Sequence, residues 1–356
     1  MRLPDAFNLQ VFVTAIMVYL GSQPLLADEV NDAALMALRP ARMLSAYGLF
    51  SDASRQQPSN GVVAYDLQVP LFTDYAKKYR FVYVPAGSAA TYNDTEVFEF
   101  PIGSALVKTF AYPENFRSPS AAIRLIETRL LIHQKGGWNA WAYVWNEEQT
   151  EATLKVAGKV VPVEFIDKAG APQSINYIVP NKNQCKGCHS FNRAVTPIGP
   201  KARNLNRDFA YASGPANQII SWHDRGLLAG APSNDSLPTV PAMGDADASV
   251  NSRARAYLDV NCAHCHRLEG PGSTSGLFLT YGEKNRTAWG YQKRPVAAGR
   301  GSGGMLYDIA PGDADASILH FRMASTDPGI MMPEVGRTMV DTEGLTLIRN
   351  WIKQLK

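Results

Sequence analysis

All four cysteines of the 356-residue chain lie in two pentapeptides, CKGCH at 185–189 and CAHCH at 262–266. Both have the form Cys-x-x-Cys-His, which marks covalent attachment of a c-type haem. The spacing has a mechanical reason. Positions i, i+3 and i+4 share one face of a helical turn, so two thiols can add to the haem vinyl groups while the adjacent imidazole reaches the iron. Cys185, Cys188, Cys262 and Cys265 are therefore the candidate tethers of two covalently bound haem c groups, and His189 and His266 the candidate proximal ligands. A zinc ribbon would separate its Cys-x-x-Cys pairs by roughly 15–20 residues, whereas 73 residues lie between Cys188 and Cys262. Thioredoxin-like dithiols would sit at the strand-to-helix step of a βαβ unit, and neither pair does. Neither alternative needs a histidine, yet a chain with only 6 histidines places one directly after each pair.

The second motif comes with a candidate for its iron's sixth ligand. In the loop PGIMMPEVGR, Met332 precedes Pro333, which restrains the backbone beside it, and a thioether is a soft donor that raises the potential of a His-ligated haem. Met331 is the neighbouring alternative, and both methionines can instead fill core gaps. His320 lies inside a predicted helix and is read as an ordinary core residue. For the first haem the candidates are His223, Met243 and His133, beside an open sixth position, and the sequence leaves all four standing. Residues 299–304, GRGSGG, match G-x-G-x-x-G but follow no strand and open no helix, so they are read as a glycine-rich loop beside the second haem, not a dinucleotide site.

Residues 1–27 place Arg2 before an apolar run from Val11 to Leu20 and end in Leu25, Leu26 and Ala27, a pattern expected of a secretory signal peptide cleaved near Ala27. Later apolar runs are too short to span a bilayer, so the mature chain is expected to lack a transmembrane segment and to work in the periplasm. Hydrophobic residues make up 46% of the chain and charged residues 19%, with a formal net charge of +3. That balance describes a folded protein and argues against nucleic acid as a partner.

The organisation expected is α+β and multidomain: a β-rich N-terminal sandwich or barrel followed by α-helical cytochrome c-like haem modules. The boundaries are a signal peptide at 1–27, a β-rich domain at 28–180, a first haem-binding segment and linker at 181–245, and a cytochrome c-like domain with the second haem at 246–356. FVYVP at 81–85, EVFEF at 96–100, ALVKTFAY at 105–112 and AIRLIETRLLI at 122–132 read as strands, and VVPVEFID with INYIVP as a hairpin about Lys168, Ala169 and Gly170. Trp141, Tyr143 and Trp145 alternate on one strand face, where rings fill a sheet's core more often than they line a groove. Arg124, Glu127 and Arg129 nearby are read as surface ion pairing. Two amphipathic helices, one leading into Cys262 and one in DTEGLTLIRNWIKQL with Asp341 or Thr342 as N-cap, flank a third in PGDADASILHFRM.

Several stretches resemble a family of bacterial dihaem c-type cytochromes with a β-rich N-terminal domain: PLFTDYAKKYRFVYVPAG (70–87), FEFPIGSALVKTF (98–110), RLIETRLLI (124–132), GWNAWAYVWN (137–146), NQCKGCH (183–189), PIGPKARNLNRDF (197–209) and RARAYLDVNCAHCH (253–266). The C-terminal part separately resembles a class I cytochrome c domain. The resemblance implies electron transfer between redox partners, from a dehydrogenase or quinol-linked donor towards a terminal reductase or oxidase, and supplies no substrate. The alternatives are a haem enzyme, a peroxidase or small-molecule oxidase using an open first haem, and a β domain that docks a partner or a glycan.

Overall fold

Beyond Pro58 the β-branched and aromatic residues recur with a period of two, and they assemble one open antiparallel sheet. The computed structural model describes residues 29–118, 121–296 and 298–356, so the expected signal peptide lies outside the described residues. A short helix, α1 (Asp32–Met36), and a hairpin of β1 (Phe50–Asp52) and β2 (Gln57–Pro58) lead into β3 (Val62–Tyr65), β4 (Lys77–Tyr83), β5 (Ala90–Thr91), β6 (Ala105–Pro113), β7 (Ile123–Gln134), β8 (Gly137–Trp145) and β9 (Ala152–Leu154). The six-stranded sheet has the order β3-β4-β6-β7-β8-β9, and its end strands do not pair with each other. The EVFEF segment forms only isolated bridges, Val97 to Lys201 and Glu99 to Thr91.

Both faces of the sheet are covered. One face buries Phe81, Val107, Leu130, Tyr143 and Trp145, with Trp141 packed against them. The aromatic stripe is therefore core, and the Tyr143 hydroxyl reaches Tyr47 Oη at 2.9 Å. The other face packs Val82 and Leu106 in a cluster with Trp222, and Phe110 and Ile126 in a cluster with the hairpin β10 (Lys159–Ile166) and β11 (Pro172–Val179). That hairpin alternates strictly, with Val161, Val163 and Phe165 inward. Its turn uses Gly170 at φ 93°, a left-handed conformation that favours glycine.

The rest of the chain carries α2 (Lys182–Cys188), β12 (Ser190–Phe191), β13 (Ala194–Val195), α3 (Ala202–Leu205), β14 (Asp208–Tyr211), β15 (Gly214–Asn217), α4 (Gln218–Asp224), β16 (Leu228–Ala229), α5 (Val250–Asn261), α6 (Ile318–Ala324) and α7 (Thr342–Gln354). β16 pairs in parallel with β5. Among the described residues no helix is long and apolar enough to cross a membrane.

Two expectations need correction. Among the described residues a sandwich or barrel followed by α-helical cytochrome c-like modules is not seen; they are β-rich, 28% strand and 21% helix, with seven α-helices. The physical reason is punctuation. Between α5 and α6 the chain turns repeatedly, with Gly276, Gly290, Gly299, Gly303, Gly304 and Gly312 all at positive φ, and no helix of four turns can grow there. The second correction concerns Glu127. It is fully buried, ion-paired with Arg129 and accepting a 2.5 Å hydrogen bond from Tyr177 Oη, so the pair belongs to the interior. Arg124 stays exposed and donates to the Pro162 carbonyl at 3.0 Å.

Where helices do form, the expected signals operate. Asp341 caps α7 by accepting from the Gly344 N–H at 2.9 Å, and Ile348, Trp351 and Ile352 turn inward. α5 crosses α7 closely because Gly344 has no Cβ: one placed there would lie 2.5 Å from the Tyr257 ring. Helix propensity alone predicts that Gly344→Ala stabilises by about 1 kcal/mol. The crossing predicts the opposite sign, a loss of about 1–2 kcal/mol in chemical denaturation, because the rigid ring must shift.

Candidate functional site

The first pentapeptide folds as expected. Asn181 and Gln184 form a reciprocal capping box, each side chain accepting from the other's backbone N–H at 2.9 Å, so α2 starts there and ends at Cys188. Cys185, Cys188 and His189 thus fall on one helical turn. The second pentapeptide begins where α5 ends, with Cys262 as C-cap. Turn hydrogen bonds from Cys265 N and His266 N to the Cys262 carbonyl, 3.1 and 2.9 Å, wind it further. The chain then doubles back so tightly that a Cβ on Gly270 would lie 2.4 Å from the Cys265 carbonyl oxygen.

Tertiary contacts bring the two motifs together. Arg203 makes a bidentate ion pair with Asp259 on α5, at 2.7–3.0 Å. Arg267 grips Glu96 at 2.8 and 2.9 Å and stacks on Phe191. The Asn192 N–H donates to the Glu269 carbonyl at 2.9 Å. The Cys188 and Cys265 side chains consequently lie close enough to perturb one another's titration, with the His264 imidazole beside Cys188.

Cys185, Cys188, His189 and His264 line a cleft against the second face of the sheet. Leu106, Leu131, Ile198, Val260 and Val335 supply apolar wall, and Arg80, Lys108 and Arg129 supply charge. Burial pushes the His189 and His266 imidazoles down to about 4, so both are neutral at pH 7. His189 Nδ1 lies 2.9 Å from the Thr196 carbonyl, an acceptor only, so Nδ1 carries the proton and Nε2 keeps its lone pair. Ser275 Oγ donates to the Gly272 carbonyl at 2.7 Å and therefore accepts from His266 Nδ1 at 3.3 Å, with the same consequence. Metal-ligating histidines are oriented in this way.

The remaining candidates separate. Met332 is half-buried; its N–H donates to the Arg322 carbonyl at 3.0 Å and its own carbonyl accepts from Arg337 Nη2 at 2.8 Å. The following Pro333, Val335, Gly336 and Arg337 line the cleft. Met331 and His320 are buried. Neither His223, 56% exposed beside Asp224, nor Met243, packed in the interior, nor His133, stacked on Trp138, lines the cleft. His264 does, and its Nδ1 is buried without a hydrogen-bond partner. Sequence reasoning passed over this residue because it occupies a variable position of the pentapeptide; the rarity of histidine in the chain was the available signal. The GRGSGG loop packs against α6, with Gly301 on Arg322 and Gly303 on Phe321.

Comparison with known protein families, curated proteins and solved structures finds no match. Among the described residues no group of three or more His, Cys, Asp or Glu side chains is arranged to hold a bare metal ion. A haem iron requires no such group, since its porphyrin supplies four donors and the protein one or two. The residues fit a haem: paired thiols beside an imidazole with a free Nε2, an apolar slot, and a cationic wall with orphaned donors at Arg80 Nη2 and Arg129 Nε.

The four thiols differ before any attachment. The Cys265 thiol and the His264 imidazole hold Cys188 well below a thiol's ordinary value, and the same contact pushes Cys265 up. Burial raises Cys185, and raises Cys262 to about 12. In chain made without haem attachment, limiting iodoacetamide at pH 6 should modify Cys188 first, on the order of tenfold faster than Cys185 or Cys262, and with little change in rate from pH 6 to 8. Peptide mass spectrometry reads the order; Cys185 or Cys262 reacting first would contradict the thiolate assignment.

Proposed function

We propose that this chain is an exported c-type cytochrome that carries two covalently bound haem c groups and passes electrons between redox partners. The observation that carries the reading is the convergence of two Cys-x-x-Cys-His sequences on one another, with Arg267 just after the second stacked on Phe191 just after the first and the Asn192 N–H bonded to the Glu269 carbonyl. Tethers that meet allow an electron to hop within one chain. When bound, haem supplies an iron that changes oxidation state without breaking bonds. The chain's own residues would hold it: Cys185 and Cys188 at one site and Cys262 and Cys265 at the other, with His189 and His266 donating through Nε2. Met332 is the proposed soft donor of the second site, on a loop that Arg337 ties to the end of α6 by donating to the Met332 and Met339 carbonyls and to those of Arg322 and Ser325.

Export belongs to the same reading. Thioether attachment of haem takes place outside the bacterial cytoplasm, which accords with the leader pattern of residues 1–27 and with a periplasmic location. The partners proposed are a dehydrogenase or quinol-linked donor and a terminal reductase or oxidase acceptor. A second reading, a haem enzyme with an open first site, is favoured by one observation: His223, Met243 and His133 all lie off the cleft that holds His189.

One preparation tests these readings. Protein exported by a haem-attaching host should show two haem additions by mass spectrometry, falling to one in Cys262→Ala/Cys265→Ala. A haem-free product loaded with zinc would overturn the proposal. In the loaded protein Met332→Ala should abolish the ferric Met-to-iron charge-transfer band. Rapid carbon monoxide binding to one reduced haem per chain, with peroxide turnover well above that of free haem, would favour the enzyme.

A further inference from the structure

Three cations stand side by side across the sheet face that the cleft exposes. The strand register places Arg80 of β4 opposite Lys108 of β6, and Lys108 opposite Arg129 of β7. All three line the cleft. Like charges directly opposite one another on a sheet are destabilising, so a row of three needs a counterweight. The outer two have one each: Asp66 at 2.5 Å from Arg80 Nη1, and Glu127 on Arg129. Lys108 has no carboxylate partner among the described residues; its ammonium sits 4.8 Å over the Phe110 ring. Arg80 Nη2 and Arg129 Nε remain buried without acceptors. Burial, together with Arg80, Lys78 and Arg129, pushes the Lys108 ammonium well below its ordinary value, and an anion placed beside it would favour the charged form again.

The other charged groups of the cleft cannot serve as that anion or compete for it. Asp259 is occupied by Arg203 and by the Tyr281 N–H at 3.0 Å. Lys201 faces Glu96 at 3.8 Å. Arg337 is occupied by loop carbonyls.

We infer that the Arg80–Lys108–Arg129 row is a carboxylate-binding wall that takes the propionates of the porphyrin tethered at Cys185 and Cys188. The inference rests on the haem reading and adds what the β-sheet contributes to it: an anchor for the end of the group opposite its thioethers, and a positive charge that favours the reduced iron. A diffusible carboxylate would use the same chemistry, and the test separates the two sources.

The experiment uses the exported, haem-loaded protein, with loading at each motif checked by peptide mass spectrometry. Lys108→Met, Lys108→Arg and a control on the exposed Lys77, Lys77→Met, are compared by spectroelectrochemical titration. Loss of the Lys108 charge should lower one of the two midpoint potentials, by roughly the 59 mV that corresponds to a tenfold change in a one-electron equilibrium. Lys108→Arg and Lys77→Met should leave both potentials in place. Haem lost from the first motif in Lys108→Met but kept in Lys108→Arg also supports an anchor. Two unmoved potentials in a fully loaded Lys108→Met protein would overturn the inference while leaving the haem reading intact. So would a saturable shift of the wild-type potential by millimolar acetate that Lys108→Met abolishes, since the row would then hold a diffusible anion. Wild-type protein with no haem on Cys185 and Cys188 would overturn the haem reading at that site and this inference with it.

Discussion

The buried ion pair between Arg203 and Asp259 ties the segment that follows the first pentapeptide to the helix that leads into the second. Arg203 lies on α3, downstream of the first pentapeptide, and Asp259 on α5, just upstream of the second. Arg203 also donates to the Thr95 carbonyl at 2.5 Å, and Asp259 accepts from the Tyr281 N–H. A bidentate pair out of water is strongly directional, and breaking one by removing a partner typically costs about 3–5 kcal/mol because a charge is left unpaired. Neighbouring bonds extend it. Asn204 exchanges hydrogen bonds with the Val69 backbone at 2.7 and 3.1 Å, and Asn261 accepts from the Phe72 N–H at 2.7 Å. The two cysteine-bearing segments are thereby held against the sheet.

Asp74 closes the arrangement from the far side. Its carboxylate accepts from Thr338 N, Thr338 Oγ1 and Met339 N at 2.7–3.0 Å, which fastens the Met332-bearing loop to the segment before β4. One sheet face therefore lies against the first motif and His264 of the second, and borders the loop that follows Met332. The sheet is more than a scaffold in this arrangement. Its cationic row of Arg80, Lys108 and Arg129 lines the same cleft as Cys185, Cys188 and His189.

Some of this was legible in residue order and some was not. The Asp341 cap and the β10–β11 hairpin were readable because each depends on neighbours a few residues away. The β-rich character of the first half was readable from periodicity, but its closure was not: a period of two says that a strand has two faces and leaves open what covers them. Here both are buried, one partly by a hairpin from the same chain. The helical modules were over-read from three amphipathic segments, since periodicity cannot see that the residues between them turn on glycines. Glu127 and Arg129 were misjudged for a related reason. Charged residues are usually exposed, and only the β10–β11 hairpin laid over them makes theirs an interior pair.

The pentapeptides are legible in the order of residues alone, because two thiols and an imidazole on one turn would need nothing from the rest of the chain to form the proposed tether and ligand. Histidine neutrality, the thiolate character of Cys188 and the meeting of Cys188 with Cys265 are different in kind. They depend on burial and on through-space partners distant in sequence, such as Thr196, His264 and the Arg203–Asp259 pair. The cationic row shows the division most plainly. Arg80, Lys108 and Arg129 look like ordinary charges on three separate strands until hydrogen-bonded register sets them side by side, and register is a property of the folded sheet.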